Sequence, residues 1–126
     1  MNNLEQLPSS LRHAAIHNQP EGCENVAWRR LQAIDVIHFL QSSNTAVLGG
    51  DVIVKKDGVF ELTLDSWHSD HQKGETWSAY AARSRQEAMD YLTRYPEEGD
   101  VAYTFVLQEK PAAGDLLLER EIRDGA

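Results

Sequence analysis

Between Thr45 and Lys110 the apolar positions change rhythm twice, from alternation to a three-and-four spacing and back, which predicts strands, then a helix, then a further strand. Ala46, Val47 and Leu48 lead into Gly49-Gly50, and the run Asp51 to Lys56 follows with Val52 and Val54 on one face. The glycine pair predicts a bend or bulge. Asp57-Gly58 has the residue types of a two-residue type I′ hairpin turn, after which Phe60, Leu62 and Leu64 alternate with Glu61, Thr63 and Asp65. From Asp65 to Glu75 the composition is that of an exposed loop, with Trp67 the exception. Thr76 can then cap a helix in which Trp77, Tyr80, Ala81, Ser84, Ala88, Tyr91, Leu92 and Tyr95 form one stripe, opposite Arg83, Gln86, Asp90 and Arg94. Small Ser84 and Ala88 at mid-stripe would let the helix axis approach the sheet. Pro96 stops this helix at Tyr95, and Val101, Tyr103, Phe105 and Leu107 alternate with Ala102, Thr104 and Gln108 in a last strand up to Lys110.

Upstream, Ser9 or Ser10 can start a short helix through Leu11, Ala14, Ala15 and Ile16 to about Asn18, forming a docked N-terminal arm over residues 1–22. Asn25 can cap a second helix to about Ser43. Its middle, Ala33 to Leu40, is apolar on nearly every side apart from Asp35 and His38, so this helix should be largely covered. After Pro111, Leu116-Leu117-Leu118 allow a short terminal helix or strand, with a flexible tail over 111–126 as the other reading. The order helix, helix, strand, strand, helix, strand implies an α+β fold, a small mostly antiparallel sheet of about three or more strands packed against helices. At 126 residues, with no repeat and no long linker, the expectation is a single domain over 1–126.

Charge narrows the class of partner. Twenty acidic residues against 12 basic give a net charge of -8, which repels phosphate backbones and excludes nucleic acid as an expected ligand. Basic partners suit such a chain. One cysteine, Cys23, excludes an internal disulfide and a thiolate metal cluster and reads as a small filler. Neither a secretory signal nor a membrane-spanning stretch is recognisable, so the cytoplasm is the expected compartment.

Candidate chemistry is sparse. Asp65, His68, Asp70 and His71 carry the ligand types that hold zinc, iron or manganese, and convergence on one ion would make a small metal-dependent hydrolase in which the metal activates water. An exposed polar loop is the simpler reading, because no H-E-x-x-H motif or distant ligand set fixes the geometry. Asp51 could pair with Asp65 or Glu75 for acid–base hydrolysis, against the plainer role of an aspartate in glycine-rich turn chemistry. Asp35 and His38, three apart on one helix, read as a structural pair. Gly49-Gly50 lacks the rest of a phosphate-binding loop, and no nucleophile-elbow pattern occurs, so no cofactor and no catalytic residue is expected. Trp67, flanked by Asp65 and Asp70, either anchors a basic protein partner or plugs the end of the core. An open strand edge leaves an oligomerising structural module as another possibility, and the oligomeric state is not legible.

Taken in order, Val47-Leu48-Gly49-Gly50-Asp51-Val52, then Asp65-Ser66-Trp67, then Gly74-Glu75-Thr76-Trp77-Ser78-Ala79-Tyr80 with Ala82-Arg83-Ser84 and Tyr95-Pro96, resemble the immunity protein 40 family of bacteria. The resemblance runs from about Ala27 to Leu107. It implies an α+β protein, encoded beside a polymorphic toxin, that protects the producing cell by binding its cognate toxin without catalysis. No catalytic residue comes with the resemblance, and His68 and His71 have no counterpart in it. An acidic inhibitor would suit a basic toxin, drawing it in at long range and presenting carboxylates where the toxin holds an anionic substrate. The residues expected at that contact are Asp51, Asp65, Trp67, Asp70 and Glu75, within a patch of roughly 800 Å² per partner.

Overall fold

The computed structural model describes residues 6–17, 20 and 25–111. Within them lie helix α1 (Ser9–Ala14), strand β1 (Ala27–Trp28), helix α2 (Arg30–Leu40), strands β2 (Ala46–Lys56) and β3 (Val59–His68), helix α3 (Trp77–Arg94), and strands β4 (Asp100–Thr104) and β5 (Val106–Gln108). All pairings are antiparallel, in the order β1-β4-β2-β3, with β5 also on β2. This is the α+β architecture expected. Cys23 and the segment from residue 112 onward lie outside the described residues, as does Asn18.

The Asp57-Gly58 hairpin forms as the sequence predicts. Both residues have positive φ, 51° and 83°, and Lys56 pairs with Val59 across the turn. Helix α3 also matches: the Thr76 side chain accepts from the Ala79 N–H at 3.2 Å, and Trp77, Tyr80, Ala81, Ser84, Ala88 and Leu92 are buried. Ser84 does bring the axis close to the sheet. Its hydroxyl accepts from the Val47 N–H at 2.9 Å and donates to the Ala81 carbonyl at 2.8 Å, both buried.

Four expectations need correction. The first helix stops at Ala14, because Ala15 turns extended and Ile16 forms a bridge with Ala27. Nor does the second helix begin at Asn25 or reach Ser43. Ala27 and Trp28 pair with Thr104 and Tyr103, and the Trp28 indole donates to the Leu11 carbonyl at 2.8 Å, so α2 starts only at Arg30 and ends at Leu40. A two-residue strand has no periodicity to read, and long-range pairing outweighs a local cap signal. The last strand is broken at Phe105: β4 and β5 both lie along β2 on the flank opposite β3, and Phe105 turns into the core. Finally, the loop expected from Asp65 begins at Ser69, since β3 continues through His68.

Helices α2 and α3 pack side by side on one face of the sheet. Ala33, Val36, Ile37 and Leu40 of α2 and Ala88 and Leu92 of α3 meet Val47, Val52, Val101, Tyr103 and Phe105, and Leu7 and Leu11 close the same core. Asp35 and His38 sit on the exposed side of α2. A smaller cluster of Ala27, Ile53, Phe60 and Ala102, with Ile16 against it, forms on the opposite face. Fully burying one such aliphatic side chain contributes about 1.5–3 kcal/mol, so the helix-side core dominates.

Candidate interaction surface

The middle of the sheet is irregular on both flanks of β2, and the irregularity positions the candidate residues. Gly49 and Gly50 serve close approach: a Cβ on Gly50 would clash with the Thr104 carbonyl and come within 2.6 Å of Trp67 Cη2. Room for the indole is thus made by a missing side chain. Across the ladder, Asp51 pairs with Ser66 and Ile53 with Leu62, so Thr63, Leu64 and Asp65 together oppose Val52 alone. That is a special bulge, with three residues set against one. The Thr63 hydroxyl repairs it, donating to the Val52 carbonyl at 2.9 Å and accepting from the Asp65 N–H at 3.0 Å.

The bulge breaks the alternation on which Phe60, Leu62 and Leu64 share a face. Phe60 is buried, Leu62 is 42% exposed, and Leu64, at φ 73°, is 89% exposed, the most exposed large apolar side chain among the described residues. Left-handed backbone at a bulky residue costs roughly 1–2 kcal/mol, so Leu64 is held there by its neighbours. Asp65 supplies one hold: its carboxylate accepts from the Tyr95 hydroxyl at 2.6 Å. That hydrogen bond, with some burial, raises the Tyr95 pKa.

Trp67 is half-buried in the core. Its ring stacks on Tyr91 at 4.7 Å and meets Phe105 edge-on at 6.0 Å. One side of it remains part of a groove of about 470 Å³, walled by Trp67, Tyr91, Tyr95 and Pro96 and bordered by Glu87, Asp90 and Arg94.

At the other end of α3 the charges are spent on one another. Arg83 donates from Nε to one Glu75 oxygen at 2.7 Å and from Nη2 to the other at 2.8 Å, and reaches Glu87 at 2.9 Å and the Asp70 carbonyl at 2.6 Å. The Arg83 hydrogen bonds hold the Glu75 carboxyl down, from 4.5 to about 2. Glu87 is lowered first by the Ser69 hydroxyl and then by Arg83. Ser69 is buried, its N–H donating to Leu48 and its carbonyl accepting from the Tyr80 hydroxyl at 2.7 Å. The loop is clasped to the helix.

The five residues expected at a partner contact therefore do not form one patch. Asp65 and Trp67 meet the C-terminal end of α3, whereas Asp70 and Glu75 lie in the loop before its N-terminus. Asp51 occupies a strand position, with its N–H donating to the Thr104 hydroxyl at 3.0 Å, and alternation puts it and Trp67 on opposite sides of the sheet. The turn role expected for Asp51 is not the one it has. Glu75 is turned inward, 16% exposed, while Asp65 and Asp70 are exposed. Nor do Asp65, His68, Asp70 and His71 converge: Asp65 is on Tyr95, His68 lies 3.7 Å from Asp70 in solvent, and His71 packs on Tyr80 at 5.0 Å. Among the described residues no three His, Cys, Asp or Glu side chains gather so as to hold a metal ion.

An antiparallel sheet with two helices on one face defines an α+β protein, and among the described residues no cluster of metal ligands is assembled on it. Comparison with known protein families matches residues 18–108 to immunity protein 40, and the chain belongs to that family. Neither the curated proteins nor the solved structures gave a match. Membership suggests a non-enzymatic role and implies a partner toxin. No helix among the described residues is long and apolar enough to cross a membrane.

Sequence reasoning missed Leu64, Tyr95 and Arg83 as the residues that organise the surface. Leu64 sits in phase with Phe60 and Leu62, and only a bulge takes it out of phase. The Tyr95-Pro96 helix stop is legible, but not that its hydroxyl would reach a strand 30 residues away.

Proposed function

We propose that this chain binds a cognate protein toxin and neutralises it by occluding its working surface, without catalysing a reaction itself. Family membership over residues 18–108 is the observation that carries this reading. The net charge of -8 supports a basic partner, because long-range attraction speeds association and exposed carboxylates can take the place of an anionic substrate. Asp65 and Asp70 are the exposed members of the expected contact set, with Trp67 acting through its accessible edge and Asp51 and Glu75 more peripheral. The protein works as a single folded unit in the cytoplasm of the cell that makes the toxin.

Co-expression tests the class. A toxic product of the neighbouring reading frame should be rendered harmless by this chain, and continued killing with the chain present as folded protein would reject the reading. Asp65→Ala should weaken the complex, and unchanged affinity in the folded variant would place the contact elsewhere.

A further inference from the structure

One feature of the corner where β3 meets the C-terminal end of α3 has no structural use. Leu64 is held at positive φ with its side chain 89% exposed, so the fold gains nothing from burying it. The next residue, Asp65, grips Tyr95, where the aromatic wall of the groove ends. Thr63 and Asp65 fix the backbone on either side of Leu64, so the knob is presented rigidly. A preorganised apolar knob, one residue from the carboxylate that grips the wall of an aromatic groove, is the anatomy of an interface anchor.

Charge decides between possible occupants. Asp65 and Asp90 flank this corner against one guanidinium, Arg94, and Glu61 lies further along β3, whereas Glu87 is already held by Arg83 and Ser69. In a two-fold dimer through this face each acid would meet its own copy or that of a neighbouring acid, on a chain already at -8. A basic protein would meet no such repulsion.

We propose that this corner is the toxin-binding surface, with Leu64 inserted into an apolar pocket of the toxin and the Asp65 and Asp90 carboxylates facing basic side chains around that pocket. The proposal rests on the reading that the chain neutralises a protein toxin. It moves the centre of the contact away from Asp70 and Glu75, which the Arg83 clasp holds at the far end of α3.

The test measures the affinity of the toxin encoded by the neighbouring reading frame, in catalytically inactive form, for the full chain and three variants: Leu64→Asp, Asp65→Lys and Leu31→Asp. Leu31 is 72% exposed on α2 and serves as the remote control. Since all three positions are on the surface, each variant should fold, and circular dichroism with a melting curve checks this. Leu64→Asp should weaken binding by about 30-fold or more, Asp65→Lys by about 10-fold or more, and Leu31→Asp by less than about 3-fold. Wild-type binding that Leu64→Asp leaves intact would overturn the proposal while leaving the immunity reading in place. Absence of any wild-type complex would overturn that reading and this one with it. Light scattering covers the remaining occupant: a wild-type dimer that Leu64→Asp converts to monomer, with toxin affinity unchanged, would assign the corner to self-association and also overturn the proposal.

Discussion

The two ends of α3 use similar residues to opposite effect. At the N-terminal end, Glu75, Arg83 and Glu87 satisfy one another and the Ser69–Asp70 segment, so the charged groups stabilise a loop and have little left to offer a partner. At the C-terminal end, the Asp65–Tyr95 hydrogen bond braces a bulge that turns Leu64 into solvent. One end has converted its polar groups into internal structure, and the other has used them to hold an apolar group outside. A cluster of charges in the sequence therefore does not mark an interaction surface by itself; what matters is whether folding has already consumed them.

Trp67 ties the C-terminal end of α3 to the sheet, because its ring lies on Tyr91 and packs against Gly50. Trp67→Ala should give the largest loss, about 3 kcal/mol of stability by denaturant unfolding, through a cavity between β3 and α3. A loss under about 1 kcal/mol would mean that the indole is not the joint.

Arg83→Ala should cost about 2 kcal/mol, since it leaves the inward-turned Glu75 carboxylate with only the Gln72 N–H and deprives the Asp70 carbonyl of the Arg83 donor. Toxin affinity should be nearly unchanged once the variant is folded. A variant that unfolds little but binds poorly would make the clasp part of the interface and erase the contrast between the ends.

The same clasp sets an acid limit. Glu75 is lowered in the folded chain from 4.5 to about 2. A group depressed on folding stabilises above its unfolded value, and that stability is lost as pH falls through the interval between 4.5 and about 2. The contribution is of order 2 kcal/mol. Denaturant midpoints between pH 5 and pH 2.5 should fall more steeply in the wild type than in Glu75→Gln, and parallel curves would show that the ion pair is not what acid breaks.

Leu64→Gly should have the smallest effect on folding and the opposite sign. Glycine adopts φ 73° without the Cβ penalty, and no buried contact is lost, so stability should stay level or rise by about 0.5–1 kcal/mol while toxin affinity falls. A clear destabilisation would mean that Leu64 packs against something that its exposure does not reveal.

How much of this was legible in the sequence follows from the range of the interactions involved. The Asp57-Gly58 hairpin and the Thr76-capped helix were, because turn chemistry and a three-and-four stripe are written into neighbouring residues. Strand β1, the break at Phe105 and the bulge at Thr63–Asp65 were not. Each is settled by which residue lies opposite: Thr104 for Ala27, Gly49 for Val106 just past the break, Val52 for the bulge. The acids of the contact set were visible as charge, but their separation between the two ends of α3 depends on an 18-residue helix lying between them.

The central claim, that the chain acts by occupying a toxin and not by altering it, is tested most directly by titrating active purified toxin with this protein and following residual toxin activity. The account predicts a linear fall to zero at a fixed stoichiometric ratio, with activity recovered when the complex is dissociated. Loss of activity at a small fraction of that ratio, growing with time and surviving removal of the protein, would contradict it.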